Sequence, residues 1–180
     1  MPPGIPAVAA DAFKRGMRRL AGGVTIITAA HGGEINGLTA TAVTSLTAEP
    51  PQLLVCVNRS AAAHDLIRKG ATLCVNALAL EHRGLAARFA GIDGVHGPER
   101  FEAGEWTRLA TGAPVLADAL AAFDCVVVDT VDVGTHTIFI CRVVEVRARE
   151  DGVALIYEAG AFGSFRREPW VTSSGPRQGP

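Results

Sequence analysis

The sequence has few residues of the kinds that build metal sites and disulfide frameworks. Among its 180 residues are four cysteines (Cys56, Cys74, Cys125 and Cys141), and no two of them form a Cys-x-x-Cys pair. The five histidines do not fall at metal-ligand spacings, so a zinc knuckle, a thioredoxin-like site and other metal centres are disfavoured. Each cysteine lies inside an apolar run, which predicts buried free thiols and a reducing, cytoplasmic compartment.

The signatures of several common enzyme folds are also missing. There is no Gly-x-Gly-x-x-Gly after a predicted strand, no P-loop, no His-Glu-x-x-His and no Gly-x-Ser-x-Gly. A Rossmann dinucleotide domain, a P-loop nucleotidase, a zinc protease and an α/β-hydrolase therefore lose their main support.

Charge and hydropathy do not indicate a nucleic acid or a membrane as partner. The 17 Lys and Arg residues nearly cancel the 18 Asp and Glu residues, which leaves a formal net charge of -1. No apolar run reaches the roughly 20 residues of a membrane-spanning helix, and the N-terminus lacks the basic start and apolar core of a signal peptide. We therefore expect a cytoplasmic protein that binds neither nucleic acid nor membrane.

The length suits one domain, which we place at residues 11–166. We expect residues 1–10, rich in Pro and Ala, to form a flexible arm and residues 167–180, with Trp170, to form a poorly ordered tail. Helical patterns predict short helices that begin at Asp11, after Ser60 and at residue 80, with Asp11 and Ser60 as caps. Strands are predicted over residues 24–30, 37–43, 52–58, 72–78, 121–133, 136–148 and 154–157.

These elements favour a mainly β fold, an antiparallel barrel with a few short flanking helices, over a doubly wound parallel sheet. The Gly-rich segment 91–114 shows neither a helical nor a strand period. A loop of that length in a compact domain is usually functional or packed by its own side chains, and we expect Phe101 and Trp106 to pin it.

The segment from Asn36 to Asn58 is the most informative one for function. Thr39 and Thr41 would share one face of a strand with Val43 and Ser45, and that face is small and rich in hydroxyl groups. A flavin requires such a wall, because small side chains leave backbone amides free to bind the carbonyl oxygens of its ring. Threonine is also a good β former, so an ordinary barrel strand explains the pattern as well.

Three other features each allow two interpretations. The run Asn58-Arg59-Ser60 leads from a strand into a helix, which suits either a flavin phosphate or a capped helix beside a surface arginine. The pair Arg88-Phe89 is either a flavin contact or a core phenylalanine beside an arginine that extends to solvent. The histidine in Gly134-Thr135-His136 is either structural or a contact of a nicotinamide.

In their order along the chain, these segments resemble the short-chain flavin reductase family, in particular the reductase components of two-component flavin-dependent monooxygenases such as those for 4-hydroxyphenylacetate. The motifs that carry the resemblance lie within residues 12–165: GLTATAVTSLTAEPPQLLVCVN, LCVNAL, AARFAG, ERF, Trp106, GAPVL, GTHTIFICRVVEV and LIYEAGAF. Many members have Asp where this chain has Thr135. The resemblance implies an FMN-binding split barrel, an antiparallel Greek-key barrel, that forms a homodimer.

The resemblance also implies the site residues. The flavin ring and ribityl chain would be lined by Asn36, Gly37, Leu38, Thr39, Thr41 and Ala42, with Cys56, Val57 and Asn58 as the neighbouring wall. Ala62 and Ala63 would lie near the phosphate, Arg88 and Phe89 would touch the flavin tail, and His136 would bind the nicotinamide. No catalytic side chain is expected, because hydride passes directly between the stacked nicotinamide and flavin rings.

The expected function is therefore that of an NAD(P)H:flavin oxidoreductase that reduces FMN or FAD and supplies the reduced flavin to a separate monooxygenase component. NADH is expected before NADPH, because no arginine cluster is evident for a 2′-phosphate. Two alternatives stay open at this point: a non-enzymatic FMN-binding protein, and a flavin-dependent reductase of ferric or other metal complexes.

Overall fold

The computed structural model describes residues 4–165 of the chain. Residues 4–9 of the predicted arm form neither helix nor strand, whereas residues 1–3 and the predicted tail 167–180, with Trp170, lie outside the described residues. The described part contains three α-helices: α1 (Ala10–Met17), α2 (Ala62–Gly70) and α3 (Arg83–Phe89). No helix in this part of the chain has the length and apolar character needed to cross a lipid bilayer.

Strands dominate the same residues, as the sequence predicts, and all of their pairings are antiparallel. They are β1 (Gly22–Gly23), β2 (Thr25–His31), β3 (Glu34–Ala40), β4 (Val43–Ala48), β5 (Pro51–Asn58), β6 (Thr72–Ala77), β7 (Trp106–Arg108), β8 (Pro114–Leu116), β9 (Ala121–Val133), β10 (His136–Ala148), β11 (Leu155–Glu158) and β12 (Ala161–Ser164). The prediction of a mainly β fold with a few short helices is therefore confirmed. The short strands β1, β4, β7, β8 and β12 were not predicted.

Seven of these strands form one sheet in the order β3-β2-β6-β9-β10-β5-β4. Its two edge strands, β3 and β4, are consecutive in the chain, and only Thr41 and Ala42 separate them. In a flat sheet these edges would be about 29 Å apart, at roughly 4.8 Å per strand, whereas three peptide steps span at most about 11 Å. The sheet must therefore curve until its edges come together, which is the geometry of a barrel.

The strand predicted over residues 37–43 is wrong at its C-terminal end. The chain leaves β3 after Ala40, and β4 begins at Val43 on the opposite edge of the sheet. Thr39 and Ser45 therefore belong to different strands, and the predicted hydroxyl-rich face of one continuous strand does not exist. Sequence patterns missed the break because Thr41 and Ala42 turn the corner of the barrel without glycine or proline.

Two principal hydrophobic clusters fill the fold. The first lies inside the barrel, where alternate strand residues such as Val55 and Val57 pack around Phe139. Helix α2 contributes its predicted anchors, Leu66 and Ile67, to this barrel core. The second cluster lies between the sheet and α3 and is built around Phe89 with Val24, Ile26, Leu78, Leu116 and Leu155.

Both predicted helix caps are wrong. Helix α1 begins after Ala9 and helix α2 after Ala61, and neither residue caps its helix through a side chain. Ser60 instead turns back: its amide and its hydroxyl both donate to Asn58 Oδ1, at 3.0 Å each. The side chain of Asn58 thus satisfies the turn into α2 locally, and the serine is not needed as a cap.

The long segment 91–114 packs against the second cluster. It contains a 3-10 helix at Gly97–Glu102 as well as β7, which pairs with β8. The ring of Phe89 lies 5.0 Å from that of Phe101 and 5.5 Å from that of Trp106, and the latter two are 4.9 Å apart. Phe101 and Trp106 therefore pin the segment, as predicted, and form an aromatic cluster with Phe89.

Candidate functional site

A cleft of about 370 Å3 opens where β3, the start of α2 and the segment after α3 meet. Apart from Leu38 and Phe89 its lining residues are small or polar; the full set is Asn36, Gly37, Leu38, Thr39, Ser60, Ala61, Ala62, Phe89, Ala90, His96, Gly97 and Arg100. The structure thus brings six of the predicted flavin residues to one cavity. We call this cavity the β3 cleft.

Two further cavities flank the β3 cleft along the same strand. One of about 590 Å3 shares Asn36 and Ala62 with it and adds the charged residues Glu34, Asp65 and Lys69. The other, of about 220 Å3, shares Thr39 and Ala90 with it and is lined by Thr41, Tyr157 and Phe162 among others. Strand β3 therefore lines three neighbouring cavities that share residues along its length.

Glycine is required at position 37 because the strand packs tightly against the aromatic cluster. A Cβ atom there would lie 2.8 Å from Cε1 of Phe89 and 2.9 Å from the carbonyl oxygen of Ile27. Thr39, two residues later, donates its hydroxyl to the carbonyl oxygen of Ala86 in α3, at 2.7 Å. The predicted threonine hydroxyl is thus engaged in holding α3 against β3.

Four of the predicted residues form a second group beside the β3 cleft. The amide of Cys56 donates to the carbonyl oxygen of Ala42, at 3.0 Å, across the β4–β5 pair. Asn58 lies opposite His136 in the β5–β10 register, and both residues are exposed. The bond from Ser60 to Asn58 links this strip to the cleft wall.

Other predicted residues present little side chain to a ligand. Val57 and Ala63 are buried, so these two residues could contact a ligand chiefly through their backbone. Phe89 is also buried and shows only part of its ring to the cleft. Arg88 does not line the cleft, and its guanidinium pairs with Asp93 at 3.2 Å.

His136 follows a turn that two hydrogen bonds from Arg59 hold in place. The amide of Arg59 donates to the carbonyl oxygen of Thr135, at 2.9 Å, and its guanidinium donates to that of Gly134. The Thr135 hydroxyl lies 2.9 Å from Nδ1 of His136, so the ring is oriented by its neighbour. The sequence allowed Arg59 either a flavin phosphate or a place at the surface beside the helix; in the structure it is exposed and its side chain donates to this turn.

Next to His136 a hydrogen-bond chain runs from the buried His64 and Thr137 to the exposed Asp132 and connects α2 with the β9–β10 hairpin. Nε2 of His64 lies 2.9 Å from the hydroxyl of Thr137, which in turn donates to Asp132 at 2.6 Å. This hydrogen bond, together with the guanidinium of Arg68, holds the pKa of Asp132 below its usual value. The network ties the turn that carries His136 to the helix that borders the cleft.

The structure adds six lining residues that were not among the predicted site residues: Ser60, Ala61, Ala90, His96, Gly97 and Arg100. Arg100 donates from Nη1 to the carbonyl oxygen of Gly37, at 3.0 Å, and from Nε to that of Val95, at 2.9 Å. The sequence signal was the unusual length of the Gly-rich segment 91–114, which indicated a functional loop without indicating which residues reach the site.

The lining suits a flavin better than an acid–base or metal-dependent reaction. Strand β3 is an edge strand, so groups such as the Gly37 carbonyl, and by the two-residue period those of Thr39, face outward without a ladder partner. Small side chains leave space for a flat ring beside this strand. Of the outward groups, the Gly37 amide donates to Asn36 Oδ1, at 2.8 Å, and the Gly37 carbonyl accepts from Arg100. Among residues 4–165 no three His, Cys, Asp or Glu side chains are grouped closely enough to bind a metal ion.

Comparison with known proteins points to the same chemistry. The family model of the flavin reductase like domain matches residues 17–166 of the chain. A curated relative from Methylorubrum extorquens (strain PA1), named FMN reductase (NADH) RutF 2, is 46% identical over 154 residues, which cover 86% of this chain and 88% of the relative.

Solved structures give the same result. The flavin reductase component BorF of a bacterial two-component tryptophan halogenase has a TM-score of 0.81 and 30% identity, and the match covers 89% of this chain and 100% of that one. Nitrilotriacetate monooxygenase component B from Mycobacterium thermoresistibile has a TM-score of 0.78 and 26% identity, with 92% and 96% of the two chains covered.

Proposed function

Because the chain belongs to the family of flavin reductase like domains, we propose that it transfers hydride from NADH to FMN or FAD and supplies the reduced flavin to a separate monooxygenase component. Family membership establishes the coarser part, a flavin reductase that uses NADH. The observation that carries the finer proposal is the β3 cleft, which combines small side chains with the outward backbone groups of an edge strand.

The flavin lies along β3 in this proposal. Asn36 to Thr39 contact its ring and ribityl chain, Thr41 and Ala42 extend that wall, and Cys56 to Asn58 border it. Ala62 and Ala63 lie near the flavin phosphate at the start of α2, and Arg88 and Phe89 lie near the flavin tail. The bound flavin supplies the hydride-accepting chemistry, so these residues bind and orient it without themselves transferring protons.

We test this proposal by following NADH oxidation with and without added flavin. The rate should rise at least about tenfold on adding FMN or FAD at about ten micromolar, which corresponds to about 1.4 kcal/mol of barrier. NADPH should support a slower reaction than NADH. A colourless protein that oxidises NADH without flavin contradicts the proposal, and a stably yellow protein that leaves NADH intact indicates a non-enzymatic FMN-binding protein. Reduction of a ferric complex at a higher rate than of flavin would make a metal complex the acceptor.

His136 contacts the nicotinamide in this proposal, since it is exposed beside Asn58 and its ring is held by Thr135. The His136→Ala variant should raise KM for NADH several-fold with little change in flavin affinity. His31→Ala removes another exposed histidine, at the end of β2, and serves as the matched control. A loss of flavin affinity with an unchanged KM for NADH would assign the histidine to the flavin instead.

We propose that the reduced flavin reaches the monooxygenase by diffusion. Both solved structures compared above are named as components of two-component systems or monooxygenases. A carrier that releases its cargo needs a micromolar Kd, about -8 kcal/mol. In a low-oxygen dialysis cell, a flavin-permeable membrane would separate this protein, NADH and flavin from a flavin-requiring monooxygenase. Product across the membrane supports diffusion, whereas product only after mixing the two proteins indicates direct transfer in a complex.

We also propose a homodimer. An apolar groove of about 390 Å3 runs between β4 and the β9–β10 hairpin, where it is lined by Val43, Phe123, Val143 and Val146 among others. Exposed valines, Val144 and Val146 among them, extend the apolar surface of that hairpin. A second copy of the chain would cover these groups. Light scattering should give about twice the mass of one chain, and a monomer at micromolar concentration would contradict the proposal.

A cytoplasmic location is part of the proposal. All four cysteines are free thiols, and three of them are buried. Unpaired thiols suit a reducing compartment. Cell fractionation with an antibody to the protein tests this location, and recovery in a membrane or secreted fraction would contradict it.

A further inference from the structure

The positive charge that faces the β3 cleft comes from Arg100, a residue of the segment after α3. We infer that Arg100 forms a phosphate-binding subsite in this cleft, for the phosphate ester of a flavin nucleotide or the pyrophosphate of NADH. This inference rests on the proposed function, because it assumes that a phosphorylated redox cofactor enters the cleft.

The guanidinium of Arg100 is held in place before any ligand arrives. Its Nη1 donates to the carbonyl oxygen of Gly37 and its Nε donates to that of Val95, so the group bridges β3 and the loop. Gly91 lies on its other side, where a Cβ atom would be 3.3 Å from Nη2. Two of its five N–H groups are thus engaged by the protein, and the remaining three form no hydrogen bond with the described residues.

The charge of Arg100 is not neutralised by the protein. Both of its acceptors are backbone carbonyls, which carry no net charge, and no carboxylate among residues 4–165 forms an ion pair with it. The residues that line the β3 cleft include no Asp or Glu. A half-buried guanidinium without a counterion in a cleft without carboxylates is a binding site for an anion, and its planar fork matches phosphate oxygens.

The other arginines near the cleft do not meet these conditions. Arg88, the residue that the sequence suggested for the flavin tail, is paired with Asp93 at 3.2 Å and does not line the cleft. Arg59 is exposed and donates to the turn before His136. Among the described residues Arg100 is the one arginine that lines the cleft, and it does so without a carboxylate partner.

The test compares ligands with and without phosphate. Kd for FMN and for riboflavin is measured by flavin fluorescence quenching in the wild type and in the Arg100→Gln and Arg100→Lys variants. KM for NADH is measured with riboflavin as the acceptor, so that the flavin carries no phosphate. Arg149→Gln serves as the matched control, because Arg149 is also a partly buried arginine with carbonyl partners but lies outside the cleft. Arg88→Gln tests the rival arginine.

If Arg100 binds the flavin phosphate, Arg100→Gln should weaken FMN binding about tenfold or more while riboflavin binding changes little. Arg100→Lys should recover part of the loss, and added salt should weaken FMN binding more than riboflavin binding. If it binds the pyrophosphate of NADH, the same variant should leave both flavin affinities near wild type and raise KM for NADH with riboflavin about tenfold. Either result supports a phosphate subsite and identifies its ligand.

Three results would overturn the inference. The first is an equal loss of FMN and riboflavin binding in Arg100→Gln, since that would show only a structural role for the hydrogen bonds to Gly37 and Val95. The second is an effect of Arg88→Gln on the preference for FMN over riboflavin that is as large as the effect of Arg100→Gln. The third is a wild type that binds FMN and riboflavin equally well and an Arg100→Gln variant with an unchanged KM for NADH. If the wild type binds FMN selectively without oxidising NADH, the proposed reductase is refuted; the Arg100 assignment is then supported where Arg100→Gln loses that selectivity and overturned where it keeps it.

Discussion

The barrel core and the aromatic cluster beneath the β3 cleft are both closely packed, but the chain assembles them differently. The barrel core consists of residues that alternate along long strands, such as Val55 and Val57 around Phe139. The aromatic cluster joins single residues from three separate segments: Phe89 from α3, Phe101 from a 3-10 helix and Trp106 from β7. The barrel core thus follows the regular alternation of strand residues, whereas the aromatic cluster depends on a few specific contacts between distant segments.

We therefore expect the barrel core to determine the stability of the fold and the aromatic cluster to determine the geometry of the cleft. Residues of the barrel core hold most of the sheet together, so their loss should unfold the whole protein. The aromatic cluster supports Gly37 on β3 and the loop that carries Arg100, so its loss should first distort the cleft. Four substitutions or conditions test this separation, and they follow from the largest expected effect to the smallest.

Phe139→Ala in the barrel core should lower the free energy of unfolding by about 3–5 kcal/mol, because Phe139 is fully buried and its removal leaves a cavity. The measurement is chemical denaturation followed by circular dichroism. The folded fraction should retain a flavin Kd near the wild-type value. A large change in Kd without a loss of stability would show that the barrel core and the cleft are not separable.

Gly37→Ala acts at the contact between strand and aromatic cluster. The new Cβ would lie 2.8 Å from Phe89 and 2.9 Å from a backbone oxygen that cannot move aside easily. We expect a loss of about 1–3 kcal/mol in the free energy of unfolding together with weaker flavin binding. Gly23→Ala is the matched control, because no atom lies within 4 Å of its added Cβ and its φ is not positive. Equal effects at the two glycines would contradict the close approach.

The dependence of stability on alkaline pH tests whether the barrel core excludes water from the thiol of Cys141. Burial raises the pKa of Cys141 to about 12, from 9.0 in the unfolded chain. Above pH 9 the unfolded state therefore loses this proton while the folded state keeps it, so the free energy of unfolding falls as the pH rises from 9 towards 12. At pH about 10 the fall should be smaller in Cys141→Ala than in the wild type by about 1.4 kcal/mol. Identical pH profiles in denaturation experiments would show that the thiol is accessible to water.

Trp106→Phe should have the smallest effect. It keeps an aromatic ring against Phe89 and Phe101 but removes the hydrogen bond from the indole N–H to the carbonyl oxygen of Ala103, at 2.8 Å. We expect a loss of about 1 kcal/mol in the free energy of unfolding and a measurable rise in the flavin Kd. A loss as large as that of Phe139→Ala would mean that the two cores unfold as one unit and contribute equally.

The sequence predicted most of the strands that build the barrel core. The periodicity of two and the β-branched residues located the cores of β2, β5, β6, β9, β10 and β11, because burial on alternate positions is a local signal. Residues Asn36 to Thr39 could be assigned to a flavin site from motif order, and the structure places them on one wall of a cleft.

The remainder depends on contacts that no local pattern encodes. The break at Thr41 exists because β3 and β4 lie on opposite edges of the sheet, which only the closed sheet determines. Arg100 donates to the carbonyl oxygen of Gly37, which lies 63 positions away in the sequence. Only the structure shows that the nearby carboxylate of Asp93 pairs with Arg88 and not with Arg100. Ser60 does not cap α2, because its amide and its hydroxyl both donate to the side-chain oxygen of Asn58.

The two edges of the sheet are linked only through Thr41 and Ala42, and this connectivity sets an order of folding. The pairs β2–β3, β4–β5 and β9–β10 are hairpins between neighbours in the chain, and such units form within about ten microseconds. The pairs β2–β6 and β5–β10 connect distant segments, and β1 reaches β11 through Gly22 and Tyr157. Long loops must lose entropy before these contacts form, so the hairpins should appear first and the barrel should close only over milliseconds to seconds.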